Sequence, residues 1–489
     1  MDTGTAARQR TWTLQQIQDL FRNNADFKMV KFAFGKREAQ ETIYLMFAEG
    51  LAEIRQINEI VLPHLERMLA AEDDAPRLDK TMDLQRIDRP EDLVTHIYSG
   101  LLALFFENRD EIYLADISSP PNRQPEESSA EISIKGPRDA FVEDIVLNVA
   151  MIRKRLKTPS LCYEQFHIGR RSKTRVAFLY IKDVANPEII GNARSRLQAI
   201  DIDILSGSSE FEHLLADNKF SLFPTLDYTT RPDFAAECLL RGRFVVIADG
   251  HSNAVIGPAN LTLLLKSPED QYFPYYYVWL GMLLRLAGLI TSMLLPGFWI
   301  ALAAFNMEQV PLPLLATMSV SRIGLPLPGP LEAFLMVGLF ELFREAGERL
   351  PKAVGQTVAV VGGIVIGDAI IRAGIASTTM LVVASLTAVA SFSLVNQSLV
   401  GTVSVIRFFT MLYASFLGIY GFILAVIGIT LYMAKLTSFG IPFLSPLSPV
   451  SLKDVTSSLF RQPFARMRRR PDFLHPADRT RQGKGGRSS

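Results

Sequence analysis

LAGLITSMLLPGFWIALAAF, residues 286–305, runs for twenty residues without a charge. As a helix rising about 1.5 Å per residue, it crosses a hydrocarbon core of about 30 Å. This reading makes the stretch a membrane span, with Pro296 as a kink point. Further on, residues 354–367 are apolar and Gly-rich up to Asp368, residues 373–406 are charge-free and longer than one span needs, and residues 408–434 are charge-free. Four spans are expected. Residues 311–351 are apolar but carry Glu332, Glu341, Arg344, Glu345 and Glu348, so their second half reads as an amphipathic or re-entrant helix. From Val450 onward ten Lys/Arg face three Asp, which places that end in the cytoplasm by the positive-inside rule. Four spans then put the N-terminus on the same side.

Residues 1–275 are charge-rich, and this split within 489 residues indicates a soluble module followed by a membrane module. Lys+Arg 51 against Asp+Glu 50 excludes a basic nucleic-acid coat and an acidic disordered chain. Cys162 and Cys238 are too few for a disulfide scaffold. Residues 1–12 lack a hydrophobic core, so no cleavable signal peptide is expected. Residues 1–35 read as a polar tail. Residues 42–47 (TIYLMF) read as a strand, followed by a helix through Ile57, Val61 and Leu65. Residues 101–106 and 111–117 read as a hairpin, and residues 118–129 as a Pro/Ser/Glu-rich linker. Residues 175–181 form a strand. Asn186-Pro187 opens a helix, with Asn186 at the cap, and Asp249-Gly250 turns a second hairpin. The fold class is thus tandem α/β soluble N-terminal subdomains followed by an all-α polytopic membrane domain. The expected divisions are 1–35, 36–129, 130–275, 276–437 and a basic tail at 438–489.

The sequence carries no dinucleotide, P-loop, HExxH or GxSxG signature, and the six histidines are not at metal-ligand spacing. No enzyme, cofactor or metal is expected. Asp201 and Asp203 read as a solvated turn. Arg153-Lys-Arg155-Leu-Lys157 reads as a solvated helix face, with headgroup or subunit contact as the alternative. Arg466, Arg468, Arg469 and Arg470 are candidates for lipid headgroups. Asp368 and Arg372 are spaced to pair on one helix face. Thr357, Val361, Ile364 and Asp368 form one helical stripe, flanked by Gln356, Val360, Gly363 and Gly367. Gln356, Thr357, Val360, Val361, Ile364 and Asp368 are therefore pore candidates, with helix packing through the glycines as the competing reading. Glu341, Arg344, Glu345 and Glu348 suit a charged ring or a local ion network.

Several blocks resemble the A subunits of GerA-type spore germinant receptors. They include Gly136-Pro-Arg138-Asp139 with Asn148, Tyr228-Thr-Thr-Arg231-Pro232-Asp233, and Ser267-Pro-Glu-Asp270. Leu342–Pro351 and Ser438-Phe-Gly-Ile-Pro-Phe443 complete the series, so the resemblance spans most of residues 40–449. Gly169-Arg-Arg-Ser-Lys-Thr174 and the tail around Arg468–Pro471 are similar to the family's stage V sporulation AF (SpoVAF) branch. Thr230 stands where the family usually has Glu, and Asn396-Gln397 replaces a common Pro-containing break. The resemblance implies a protein of the endospore inner membrane that forms a membrane oligomer with other germination membrane subunits. Identical chains in contact with lipid, both termini cytoplasmic and no nucleic-acid partner are expected alongside it. An ion-conducting role and a nutrient-sensing or scaffold role without conduction are both open at this point.

Overall fold

A computed structural model describes residues 13–34, 41–70, 84–87, 92–109, 111–119, 133–350, 367–451, 454–456, 462–463 and 467–481. The chain divides into two compact units. One comprises Met1–Lys219, Leu226–Pro258 and Met467–Ser489, and the other Phe220–Thr225 and Ala259–Arg466.

The first unit holds two five-stranded sheets whose paired strands are antiparallel. One is ordered β1-β2-β4-β5-β3: β1 Phe27–Phe34, β2 Glu41–Ala48, β3 Gln85–Arg86, β4 Leu101–Phe106 and β5 Glu111–Asp116. The other is ordered β6-β7-β9-β10-β8: β6 Leu161–Ile168, β7 Thr174–Ile181, β8 Asp227–Thr229, β9 Phe244–Ala248 and β10 Ala254–Gly257. TIYLMF is continuously apolar because β2 is covered on both faces. Ile43, Leu45 and Phe47 pack with Leu104, Ile57, Val61 and Leu65. Tyr44, Met46 and Ala48 pack with Phe105, Ile17, Phe21 and Ile97. Ile57, Val61 and Leu65 come from a continuous helical run, α2 Ile54–Gln56, a π turn Ile57–Val61 and α3 Leu62–Ala70.

Residues 14–34 are not a tail. Helix α1, Leu14–Phe21, buries Ile17 and Phe21, and β1 pairs with β2 along eight residues. Leu14, Ile17 and Phe21 are spaced i, i+3, i+7, a single apolar stripe too narrow to stand out in a polar segment. Helix α4, Leu93–Ile97, packs Leu93, Val94 and Ile97 into the same core, and α5, Ile145–Arg155, adds Ala150. The second sheet is accompanied by α6 Pro187–Ala199, α7 Ser208–Leu215 and α8 Pro232–Leu240. Asn186 caps α6 by accepting from the Glu188 amide at 2.9 Å, with Pro187 in the first turn.

The second unit is helical. A short α9, Leu261–Leu264, precedes α10 Tyr275–Ile300, α11 Leu312–Ser321 and α12 Gly329–Glu348. Residues 367–372 form α13, and α14 Thr378–Phe392 and α15 Gln397–Lys435 follow. Among the described residues two helices are long and apolar enough to cross a membrane, Tyr275–Phe305 and Gln397–Lys435, and α11 and α14 are shorter apolar helices. Residues 354–366, most of one expected span, lie outside the described residues. The expected division of residues 373–434 at Arg407 is corrected. The break falls at residues 393–396, where Asn396 caps α15 by accepting from the Leu399 amide at 3.0 Å, and Arg407 lies inside α15. The Asn396 side chain thereby satisfies a first-turn amide and fixes where α15 starts. Gly418, at φ 58°, kinks α15 in a conformation that L side chains rarely adopt. The strands β11 Thr437–Ser438 and β12 Ile441–Pro442 close this unit. Ser438 Oγ donates to the Thr225 carbonyl at 2.6 Å and Asn260 Nδ2 to that of Ser445 at 2.7 Å.

Candidate functional site

Inside the apolar helical unit, charged side chains of two helices, α12 and α15, meet polar groups of α10 and α14. Pro296 sits within α10 and has no N–H, so the carbonyl of Ser292 loses its helical donor. Arg407 of α15 fills that vacancy, with Nε donating to Ser292 O at 2.7 Å. Its Nη2 donates to Ser391 Oγ of α14 at 2.6 Å, and its Nη1 to Glu341 Oε2 of α12 at 3.3 Å. Arg407's side chain is 4% exposed. Glu341 also accepts from Arg344, whose Nη1 reaches Glu348 Oε1 at 2.7 Å. Close helix contact makes this possible. A Cβ on Gly297 would meet the Thr410 backbone at 3.0 Å, and one on Gly288 would collide with Ser393. A cavity of about 440 Å³ adjoins the cluster, lined by residues of α12, α13 and α14 together with Arg407.

Glu341, Arg344 and Glu348 thus form a local ion network, and Glu345 joins Arg349 at 2.6 Å. Glu332, buried in the first turn of α12, accepts from the Ser377 amide at 2.6 Å at the start of α14. Asp368 is exposed and pairs with Arg372 at 2.7 Å. The other pore candidates, Gln356, Thr357, Val360, Val361 and Ile364, lie outside the described residues. Arg407 was missed because it served only to separate two apolar runs. A lone Arg between charge-free stretches was the available signal.

In the first unit the solvated reading of the basic stretch is corrected at Arg153, while Lys154 and Lys157 are exposed as that reading expects. Arg153 is fully buried, donates to Asp26 through Nε and Nη2 at 2.9 Å each and to Leu161 O at 2.8 Å, and lies 4.1 Å from the Tyr98 ring centroid. Arg155 pairs with Asp139 at 2.5 Å. Arg153 is therefore not a solvated cation, and Arg155 is half-buried against its partner. The family blocks are structural in geometry. Arg231 and Asp233 form a buried two-pronged pair around Pro232, the first residue of α8, at 3.0 and 2.7 Å. Thr230 contributes its carbonyl, which accepts from the Phe141 amide at 2.8 Å. Ser133 Oγ donates to Gly136 O at 2.8 Å, and Arg138 is exposed.

The basic tail is corrected at one residue. Arg470 Nε donates to Leu240 O at 2.8 Å and Nη1 to Asp478 at 2.6 Å, which takes it away from a headgroup role. Arg468 and Arg469 are exposed, and Arg466 lies outside the described residues. Arg481 meets Glu237 at 2.8 Å, so the tail is fastened to α8 within the first unit. Cys238 is fully buried and its thiol is pushed up to about 12, chiefly by burial, which leaves it inert as a nucleophile.

A two-sheet domain continued by a helical unit with two helices long and apolar enough to cross a membrane fits a membrane-associated protein. The chain belongs to the GerA family, described as Bacillus/Clostridium GerA spore germination protein, whose model matches residues 15–473. It is 44% identical over 402 residues to spore germination protein XA of Bacillus anthracis, covering 82% of this chain and 81% of that one. It is 33% identical to the uncharacterized membrane protein YfkQ of Bacillus subtilis, covering 94% and 90%. The N-terminal domain of the A subunit of the Bacillus megaterium germinant receptor GerK3 matches at 27% identity with a TM-score of 0.38, covering 50% of this chain and 93% of that one.

Proposed function

We propose that the chain is an oligomeric, cation-conducting subunit of the germination apparatus in the endospore inner membrane, with both termini cytoplasmic. It acts with other germination subunits and falls in the stage V sporulation AF branch. The observation that carries the conducting role is the Arg407 cluster. Charge held among apolar helices is costly and marks ion pathways and switches. Arg407 ties α15 to α10 through the Ser292 carbonyl, to α14 through the Ser391 hydroxyl and to α12 through the Glu341 carboxylate. A shift of α12 that releases Glu341 leaves Arg407 bonded to neutral groups, which gives the cluster a second arrangement. The C-terminus of α12 leads directly into the chain segment carrying Gln356, Thr357, Val360, Val361 and Ile364, so such a shift is passed to it covalently. Only 17% of the most apolar stretch of α15 is buried within the chain, which suits lipid and neighbouring copies.

The test is cation flux through liposomes holding the purified chain, with and without its co-expressed membrane partner. Val361→Ala is expected to raise basal flux by loosening an apolar gate, and Asp368→Asn to lower cation selectivity. No flux from correctly assembled protein in either preparation would make it a receptor or scaffold subunit that does not conduct.

A further inference from the structure

We propose that the cavity beside Arg407 binds a single-chain amphiphile with a carboxylate head. Its volume of about 440 Å³ falls within the range of small-ligand pockets, about 300–1,000 Å³. The walls are apolar, formed by Val337, Phe340, Phe343, Leu381, Val389 and Phe392. Part of the polar lining is one connected set, in which Arg344 and Arg407 both bond Glu341 and Arg407 also bonds Ser391, and Asp368, Ser385 and Thr387 complete the lining.

Charge selects the head group. Two guanidiniums share Glu341. Arg344 has a second carboxylate in Glu348, whereas the other bonds of Arg407 go to the neutral Ser292 carbonyl and Ser391 hydroxyl. Asp368 also lines the cavity, but it is exposed and engaged by Arg372. A guanidinium 4% exposed, with one carboxylate contact of 3.3 Å, is incompletely compensated in a low-dielectric interior. A carboxylate arriving on an apolar chain completes its charge-assisted bonding and fills the void. The volume suits one alkyl chain, not the two of a phospholipid. Such a ligand competes with Glu341 for Arg407 and loosens α12 from α15. The proposal stands apart from whether the chain conducts.

The test uses the full-length chain in nanodiscs and the fluorescent long-chain carboxylate cis-parinaric acid. Binding is expected to be saturable, with palmitate displacing the probe at least tenfold better than hexadecanol or hexadecylamine. Arg344→Gln is expected to weaken it severalfold. Ala388→Phe, which fills the cavity from α14, is expected to abolish binding with thermal unfolding unchanged, and Ser385→Leu serves if the larger ring perturbs the fold. Equal displacement by the alcohol, preference for the amine, equal displacement by added phosphatidylglycerol, or unaltered binding in the cavity-filled variants would overturn the proposal.

Discussion

Arg153 and Arg407 are both buried arginines, yet their partners differ in kind. Arg153 has a carboxylate to itself, gripped at two points, with a carbonyl and an aromatic face completing its shell. Arg407 shares its carboxylate with Arg344 and otherwise bonds neutral oxygens. A one-to-one, two-pronged pair has a single arrangement and acts as a rivet. A shared partner can be released and regained with neutral bonds kept, which is what a switch needs. The first unit is therefore held where the second is poised.

The largest expected effect breaks the rivet. Arg153→Ala strands Asp26 and should destabilise the first unit by about 3–5 kcal/mol, read as a large fall in its thermal or denaturant midpoint. A loss under 1 kcal/mol would mean the pair is not the rivet described. Arg407→Gln retains an amide for Ser292 or Ser391, so it should cost less than Arg153→Ala while changing flux more. The reverse ranking would erase the distinction. Arg481→Ala removes one of two cations from Glu237, and about 1 kcal/mol is expected, seen as earlier protease release of the tail.

The smallest effect concerns pH. Burial pushes the Glu212 carboxyl up to about 7, against the opposing influence of His213 and the Leu226 amide. The folded state therefore holds the proton more tightly than the unfolded chain. Stability is greatest below the unfolded carboxylate range, declines as pH rises toward 7, and levels off above it. Glu212→Gln should flatten that dependence and raise the midpoint at pH 8. An unchanged pH profile would show that Glu212 is not the group responsible.

The strands at residues 42–47, 101–106 and 175–181 and the Asn186 cap were legible because propensity and tertiary contacts agree there. Helix α1 was not, since its narrow stripe gains meaning only against Tyr44 and Met46. Strand β6 was missed because LCYEQFHI opens on an apolar run, passes through Glu164-Gln165 and keeps no single period, at an edge position beside β7. The charged face of α12 was readable from i, i+3 and i+4 spacing. Its tie to Arg407, sixty-six residues away, depends on Pro296 vacating a carbonyl on a third helix, and no local pattern encodes that. Within the basic runs, Arg153, Arg155 and Arg470 were not legible, because a sequence shows charge but not the Asp26, Asp139 or Asp478 that meets it.

The most direct test of the account is cation flux in liposomes from the purified chain and its Arg407→Gln variant, reconstituted as the same oligomer. The account predicts flux from the parent and at least a tenfold change in the variant. Flux that is absent in the parent, or identical in the two, would contradict it.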